Sequence, residues 1–219
     1  MKRRTLDIAF SIGGLVFSML LLVIGLVLTN QSNFAENYVK DQFAQQQIAF
    51  TPEAGLNGEQ DDAPCLVTHA GQMLQTGKQA ECYANEYIAF HLAGSATEAG
   101  YPGATYATLG GPQRELRAEL QAATDASQPT EEIQTNLDAI NGLRDTMFRG
   151  ETLRGLLLTT YGFSIFGERA GQAAIVLYLA AAVVLLLSLA GLVHAAKTRK
   201  DEKVVAIIHE PASKVPVNA

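Results

Sequence analysis

Four histidines and two cysteines are the residues best suited to do chemistry in this chain, and their placement argues against most of it. His69 and His91 fall in the middle of the sequence, whereas His194 and His209 lie at or beyond the far edge of a long apolar stretch. A four-histidine site is thereby excluded. His69, Glu86 and His91 come nearest to a zinc set. Glu86 and His91 are five residues apart, off a common helix face, and zinc needs three or four converging ligands. The serines lie in no G-x-S-x-G elbow. Gly110-Gly111 opens no phosphate-binding loop, and no C-x-x-C-H haem motif occurs. Asp61-Asp62 with Glu59 lacks the alternating oxygen ligands of a calcium loop and reads as a solvated acidic turn. The sequence therefore points to no enzyme, no metal and no cofactor.

The elements that carry these residues are set by two uncharged stretches, Ile8–Thr29 and Gln172–Ala196. Each exceeds the roughly 20 apolar residues that cross a hydrocarbon core about 30 Å thick. Lys2, Arg3 and Arg4 flank the first; Lys197, Arg199, Lys200 and Lys203 flank the second. The positive-inside rule then places both ends in the cytoplasm and residues 30–171 outside a plasma membrane. The first stretch is too long for a signal-peptide core, and Leu28-Thr29-Asn30 offers no small-residue cleavage site, so it reads as an uncleaved signal anchor. The expected plan is a cytoplasmic N-terminus 1–7, a span 8–29, an extracytoplasmic domain 30–171, a span 172–196 and a cytoplasmic tail 197–219. The tail holds one apolar patch, Val204–Ile208, and at most a docking peptide.

Residues 30–171 carry 8 Lys/Arg against 18 Asp/Glu. Nucleic-acid binders present a basic surface, so DNA and RNA are not expected partners. Cys65 and Cys82 both fall in this outer segment, where a disulfide persists. A bond there would close a loop of about 18 residues, worth about 3 kcal/mol in the chain-entropy model. Two free buried thiols are the alternative.

The pattern predicts an all-α fold: two transmembrane helices flanking a helical bundle, with one disulfide and a short β-hairpin. Asn33–Ala49 continues the first helix as a stalk with Phe34, Tyr38, Phe43 and Ile48 along one stripe, ending before Thr51-Pro52. Residues 51–64 read as a loop, and Cys65–Leu74 as a hairpin turning at Ala70-Gly71. Gln79–Leu92 is a predicted helix with Tyr83, Tyr87 and Phe90 on one face, a candidate face for a ligand or partner. Residues 94–112 form a Gly/Pro loop, and Gln113–Thr124 a helix. Thr130–Arg149 shows the clearest bundle stripe, with Ile133, Leu137, Ile140, Leu143 and Met147, capped by Ser127 or Thr130 and broken or kinked by Gly150. For 151–169 two readings stand. It is an interfacial elbow with Leu157, Tyr161, Phe163 and Phe166 at headgroup level, or a core helix leading into the span.

Within the spans, Ser11, Gly14, Ser18 and Gly25 form one seam, and Ala174, Ala181 and Ser188 repeat every seven residues in the other. Small residues at such spacing let helices approach closely in lipid. No ionisable residue sits within either apolar core, which argues against a proton relay or ion pathway.

The span–domain–span plan superficially resembles the sensing half of a bacterial chemoreceptor, but no HAMP or kinase-coupling region follows Ala196. Arg149–Arg154 (RGETLR), with the run Gly155–Phe166 after it, is similar to uncharacterised two-span membrane proteins of actinobacterial type. That resemblance implies a compartment and a plan but no mechanism. The expectation is a non-enzymatic membrane protein that scaffolds, assembles or regulates a membrane or envelope complex. Its partners would be the lipid bilayer and another membrane protein or a second copy of itself. The alternative is an outer ligand-sensing domain that signals through a separate partner.

Overall fold

A computed structural model describes residues 2–56 and 58–199; the apolar patch Val204–Ile208 and His209 lie outside the described residues. The described residues are mostly helical. α1 (Arg3–Gln46) and α6 (Glu131–Lys197) are each long and apolar enough to cross a membrane. Between them come α2 (Pro64–His69), α3 (Gly77–Cys82), a π-helical segment (Tyr83–Ile88), α4 (Ala89–Glu98) and α5 (Gly110–Asp125). Two 3₁₀ turns, Glu53–Gly55 and Gly58–Gln60, fill the connection after α1. The chain divides into two compact units, one made of the apolar stretches up to Thr29 and from Gln172, the other Asn30–Gly171.

In the first unit the small residues are turned inward. Ser11, Ser18, Ala174, Ala181 and Ser188 are buried, whereas Phe10, Val16, Leu186 and Leu187 are exposed. A Cβ added at Gly14 would fall on the Ser188 hydroxyl, one at Gly25 on the Tyr178 ring, and one at Gly191 on the Ser11 hydroxyl. The Tyr178 and Thr29 hydroxyls lie 2.9 Å apart in a hydrogen bond that joins α1 to α6. Gly191 and Tyr178 stand outside the seams read from the sequence. They take the place opposite Ser11 and Gly25.

The core of Asn30–Gly171 gathers Leu66, Leu74, Leu109, Ile140 and Met147, each almost wholly buried. The α6 stripe contributes Leu137, Ile140, Leu143 and Met147 to it, so the heptad-like spacing does face the core. α5 docks on α6 through a polar relay. Arg144 Nη1 donates to Gln113 Oε1, and Gln113 Nε2 donates to Asn141 Oδ1. The Arg144 guanidinium also lies 4.5 Å from the Tyr106 ring centroid.

Several expectations are corrected. Cys65–Leu74 is no hairpin: Pro64 opens α2, because its missing N–H is one the first turn would leave unpaired anyway. Residues 72–74 pair instead with 48–50. Phe50 N–H donates to Gln72 O at 2.9 Å and Leu74 N–H to Ile48 O at 2.8 Å, around an antiparallel Ala49–Met73 bridge. The stalk accordingly ends at Gln46, before Ile48. Its buried stripe is Ala35, Val39 and Phe43, while Phe34 and Tyr38 are half exposed. The reason is a close approach in which a Cβ at Gly167 would collide with that of Ala35. Only a small residue fits there, so the aromatics are displaced sideways. Gly150 neither breaks nor kinks off a separate element, and 151–169 is no elbow. α6 runs through unbroken. A helical glycine costs only about 1 kcal/mol, and Gly150 admits the Leu92 side chain against the α6 backbone. The Gly/Pro loop is shorter than predicted, since α4 reaches Glu98 and α5 begins at Gly110.

Ser127 does not cap α6; it terminates α5. With φ +54°, its N–H bonds to Thr124 O and the Gln128 N–H reaches Ala123 O, a Schellman stop with serine in the left-handed position. Gly100, φ +81°, ends α4 the same way, through Gly100 N–H to Thr97 O and Tyr101 N–H to Ala96 O. Ser127→Gly is therefore expected to raise stability by about 0.5–1 kcal/mol and Gly100→Ala to lower it by about 1 kcal/mol. Opposite shifts of the thermal midpoint would show this; shifts of the same sign would refute it.

Candidate functional site

The centre of Asn30–Gly171 with the most unusual local geometry is an aromatic ladder beside the disulfide. Cys65 of α2 and Cys82 of α3 are bonded, with Cα atoms 6.1 Å apart. α3 starts on a capping box in which Thr76 accepts from the Gln79 N–H and the Gln79 side chain accepts from the Thr76 N–H. At Tyr83 the helix widens into the π-segment. Such wide turns are rare and concentrate at functional sites. The Ala84 carbonyl accepts from the Ala89 N–H and also from Arg154 Nε at 3.0 Å, which ties the wide turn to α6. Both Arg154–Glu151 contacts of 2.9 Å orient that guanidinium.

The wide turn stacks Tyr83 on Tyr87 with centroids 4.6 Å apart, and Tyr87 meets His91 edge-on at 4.5 Å. Phe90 stands 5.9 Å from His91 at one end. Phe50 extends the ladder at the other, 5.4 Å from both Tyr83 and His69. The structure thus brings Tyr83, Tyr87 and Phe90 into one array, with Tyr83 and Tyr87 half-buried against the core. Phe50, His69 and His91 complete it. The π-turn that aligns them has no signature in the local sequence.

Burial pushes the Tyr83 phenol up to about 12, with the neighbouring Tyr87 adding to the shift. Between pH 10 and 12 the unfolded chain releases this proton and the folded chain keeps it. Its contribution to stability is full below pH 10 and is lost as pH rises towards 12. The expected result is a late phenolate fraction in the absorbance titration of the folded protein, absent in Tyr83→Phe and moved to about pH 10 on denaturation. A titration identical in Tyr83→Phe would sink this assignment.

His69, Glu86 and His91 do not converge. His69 Nδ1 bonds to Gln72 Oε1 at 3.2 Å, His91 meets Gln60 at 3.4 Å, and Glu86 is exposed. Among the described residues no group of three His, Cys, Asp or Glu side chains is placed to hold a metal.

The four residues expected at the membrane surface separate. Leu157 is buried in the core, which takes it away from any lipid. Tyr161 is half-buried and accepts a hydrogen bond from Lys78 Nζ at 3.0 Å. Phe163 and Phe166 are exposed, Phe166 at 78%. Phe163 packs edge-on against Tyr38 at 6.1 Å, and Tyr38 stacks on Phe34 at 5.7 Å. Near them a groove of about 540 Å³ opens between α1, residues 75–78 and α6. Lys40, Lys78, Glu36 and Glu168 line it together with Ser32 and Ser164. The hydrogen bond to Tyr161, then the one to Glu81, holds the Lys78 ammonium above the usual lysine range, so it stays protonated.

No family model matches the chain. No curated protein and no solved structure matches it either.

Proposed function

We propose that the chain is a non-enzymatic, two-span plasma-membrane protein with both termini cytoplasmic and residues 30–171 outside. In this reading it serves as an accessory, scaffold or regulatory subunit of a membrane or cell-envelope complex. The observation that carries the reading is an apolar face on α6 within Asn30–Gly171 that stays exposed although Tyr106 meets Phe148 and Tyr38 meets Phe163 at its edges. Phe148, Leu156, Phe163 and Phe166 are exposed there, and Gly155 and Gly162 have open space where a side chain would stand. Exposed apolar surface of this kind marks interaction sites. Open glycines allow a neighbouring helix to approach closely. The resemblance to two-span actinobacterial-type proteins is consistent with this plan and adds no activity.

Affinity purification of the tagged protein from its native membrane in mild detergent, followed by mass spectrometry, tests it. A stoichiometric partner, lost on Leu156→Glu, is the expected outcome. A bare monomer would overturn the subunit reading. The groove lined by Lys40 and Lys78 favours a second reading, an outer ligand-sensing domain that signals through a separate partner. A bare monomer that binds a small ligand would support that one.

A further inference from the structure

Every residue lining the groove beside Lys40 and Lys78 lies within Asn30–Gly171, so its geometry is set inside one compact unit. Its charges are sorted by sign. α1 and α6 pass each other in opposite directions here, with Ala35 against Gly167 and Tyr38 against Phe163. Glu36 and Glu168, each next in sequence to the first of these pairs, therefore share one end of the groove. Lys40, four residues further along α1, stands at the Ser164 end. Lys78 joins it there: a Cβ on the adjacent Gly77 would fall on the Ser164 hydroxyl, and Lys78 Nζ donates to the Tyr161 hydroxyl at 3.0 Å. One end is acidic and the other basic, and four residues of helix separate them by about 6 Å.

Both ends keep unused bonding capacity. Glu and Lys at this spacing on a helix can pair, yet among the described residues neither Glu36 nor Lys40 enters an ion pair. Lys78 bonds to Tyr161 and Glu81, which leaves one of its three ammonium protons. The Ser164 hydroxyl donates to the Tyr161 carbonyl and keeps its lone pairs to accept. A simple anion would satisfy the lysines and leave the carboxylates unmet; a simple cation would do the reverse. A zwitterion meets both, provided its charges stand one helical turn apart. In a free α-amino acid the nitrogen and the carboxyl carbon are about 2.5 Å apart, and in an extended dipeptide about 6 Å. A groove of about 540 Å³ is in the range that holds small ligands.

We propose that this groove binds a free dipeptide, with its carboxylate between Lys40 and Lys78, its ammonium at Glu36 and its peptide N–H on the Ser164 hydroxyl. The inference supplies a ligand class for the ligand-sensing reading given above and rests on that reading. Lys78 is held in place for this role by the Tyr161 hydroxyl. Hydrogen bonds with a charged partner are about twice as strong as neutral ones, so the two ends of the dipeptide carry most of its recognition.

The test is calorimetric titration of the full chain in mild detergent with alanylalanine. Alanine, N-acetyl-alanylalanine and alanylalanine amide are titrated in parallel. Alanylalanine is expected to bind at one per chain, and each of the other three about tenfold more weakly or worse. Two variants tie each end of the dipeptide to its residue. Lys40→Gln should weaken alanylalanine about tenfold and leave the amide, which has no carboxylate, unchanged. Glu36→Gln should weaken alanylalanine by a similar factor and leave the N-acetyl compound, which has no ammonium, unchanged. Both side chains are exposed, so the thermal midpoint without ligand should stay at the wild-type value. Alanine binding as tightly as alanylalanine, or either variant binding alanylalanine as the wild type does, would overturn the inference. A thermal-shift screen of free amino acids, sugars and dicarboxylates on the same preparation scores the sensing reading separately. A chain that ignores alanylalanine but is stabilised by one of these fails the inference alone; a chain stabilised by none of them, nor by alanylalanine, fails both.

Discussion

Leu66→Ala is expected to cost about 2–5 kcal/mol, the range for removing a buried leucine that leaves a cavity behind. Leu66 is 1% exposed, on a helix of six residues that has little stability of its own. Short helices in water are marginal, and packing must hold them. α2 has the disulfide at one neighbour, Cys65, and the core at Leu66. Loss of the leucine therefore removes the main contact that keeps α2 seated. Leu66→Met keeps the volume and should cost less than about 1.5 kcal/mol. Denaturant unfolding of the full chain in detergent, followed by the near-ultraviolet tyrosine signal, separates the two. The midpoint should fall with the slope unchanged, because the surface exposed on unfolding is the same. Equal midpoints for the alanine and methionine variants would show that α2 is not seated by this side chain.

The parts of this fold that depend on local pattern could be read from the sequence. Ile140 and Met147 announce a core face by their spacing, and Cys65 and Cys82 announce a bond by sharing one side of the chain's charge map. What was illegible depends on distant backbone approaches. Gly150 looks like a helix breaker because its local cost is visible and its gain is not, and nothing local marks Gly167 as a contact point. The gain is the room they give to Leu92 and Ala35, more than 50 and more than 130 residues away in sequence. The same holds for 48–50, which leaves the helix to pair with 72–74. Tyr83, Tyr87 and Phe90 were legible as a set but not as a ladder, since the π-turn that stacks them is tied down by Arg154 from α6.

The placement of the aromatics also separates two roles that a hydropathy reading merges. Phe163 and Phe166 face outward with Phe34 and Tyr38, as exposed rings that contact one another through Tyr38. Tyr83 and Tyr87 are half-buried and pack against the core, and burial with the neighbouring Tyr87 raises the Tyr83 phenol to about 12. The first group is exposed and the second is half-buried in a stack. A function assigned to one does not transfer to the other.

Replacing both cysteines by alanine is expected to lower stability by about 3 kcal/mol, because the bond closes a loop whose ends are 17 residues apart. Alanine is the better substitute here, since Cys82 is 7% exposed and a serine hydroxyl would add a burial cost of its own. The bond acts mainly by restricting the unfolded chain. Two consequences distinguish it from the Leu66 variant. The unfolded ensemble expands, so the denaturant slope should rise while the midpoint falls. The folded site should persist, held by the Thr76–Gln79 capping box and by Arg154 on the Ala84 carbonyl. Tyr83 should then still titrate near 12 in the folded double variant. A normal tyrosine titration would mean that the disulfide shapes the native ladder directly. A stability loss near zero would mean that the α2–α3 geometry is already set by the core around Leu66 and Ala80.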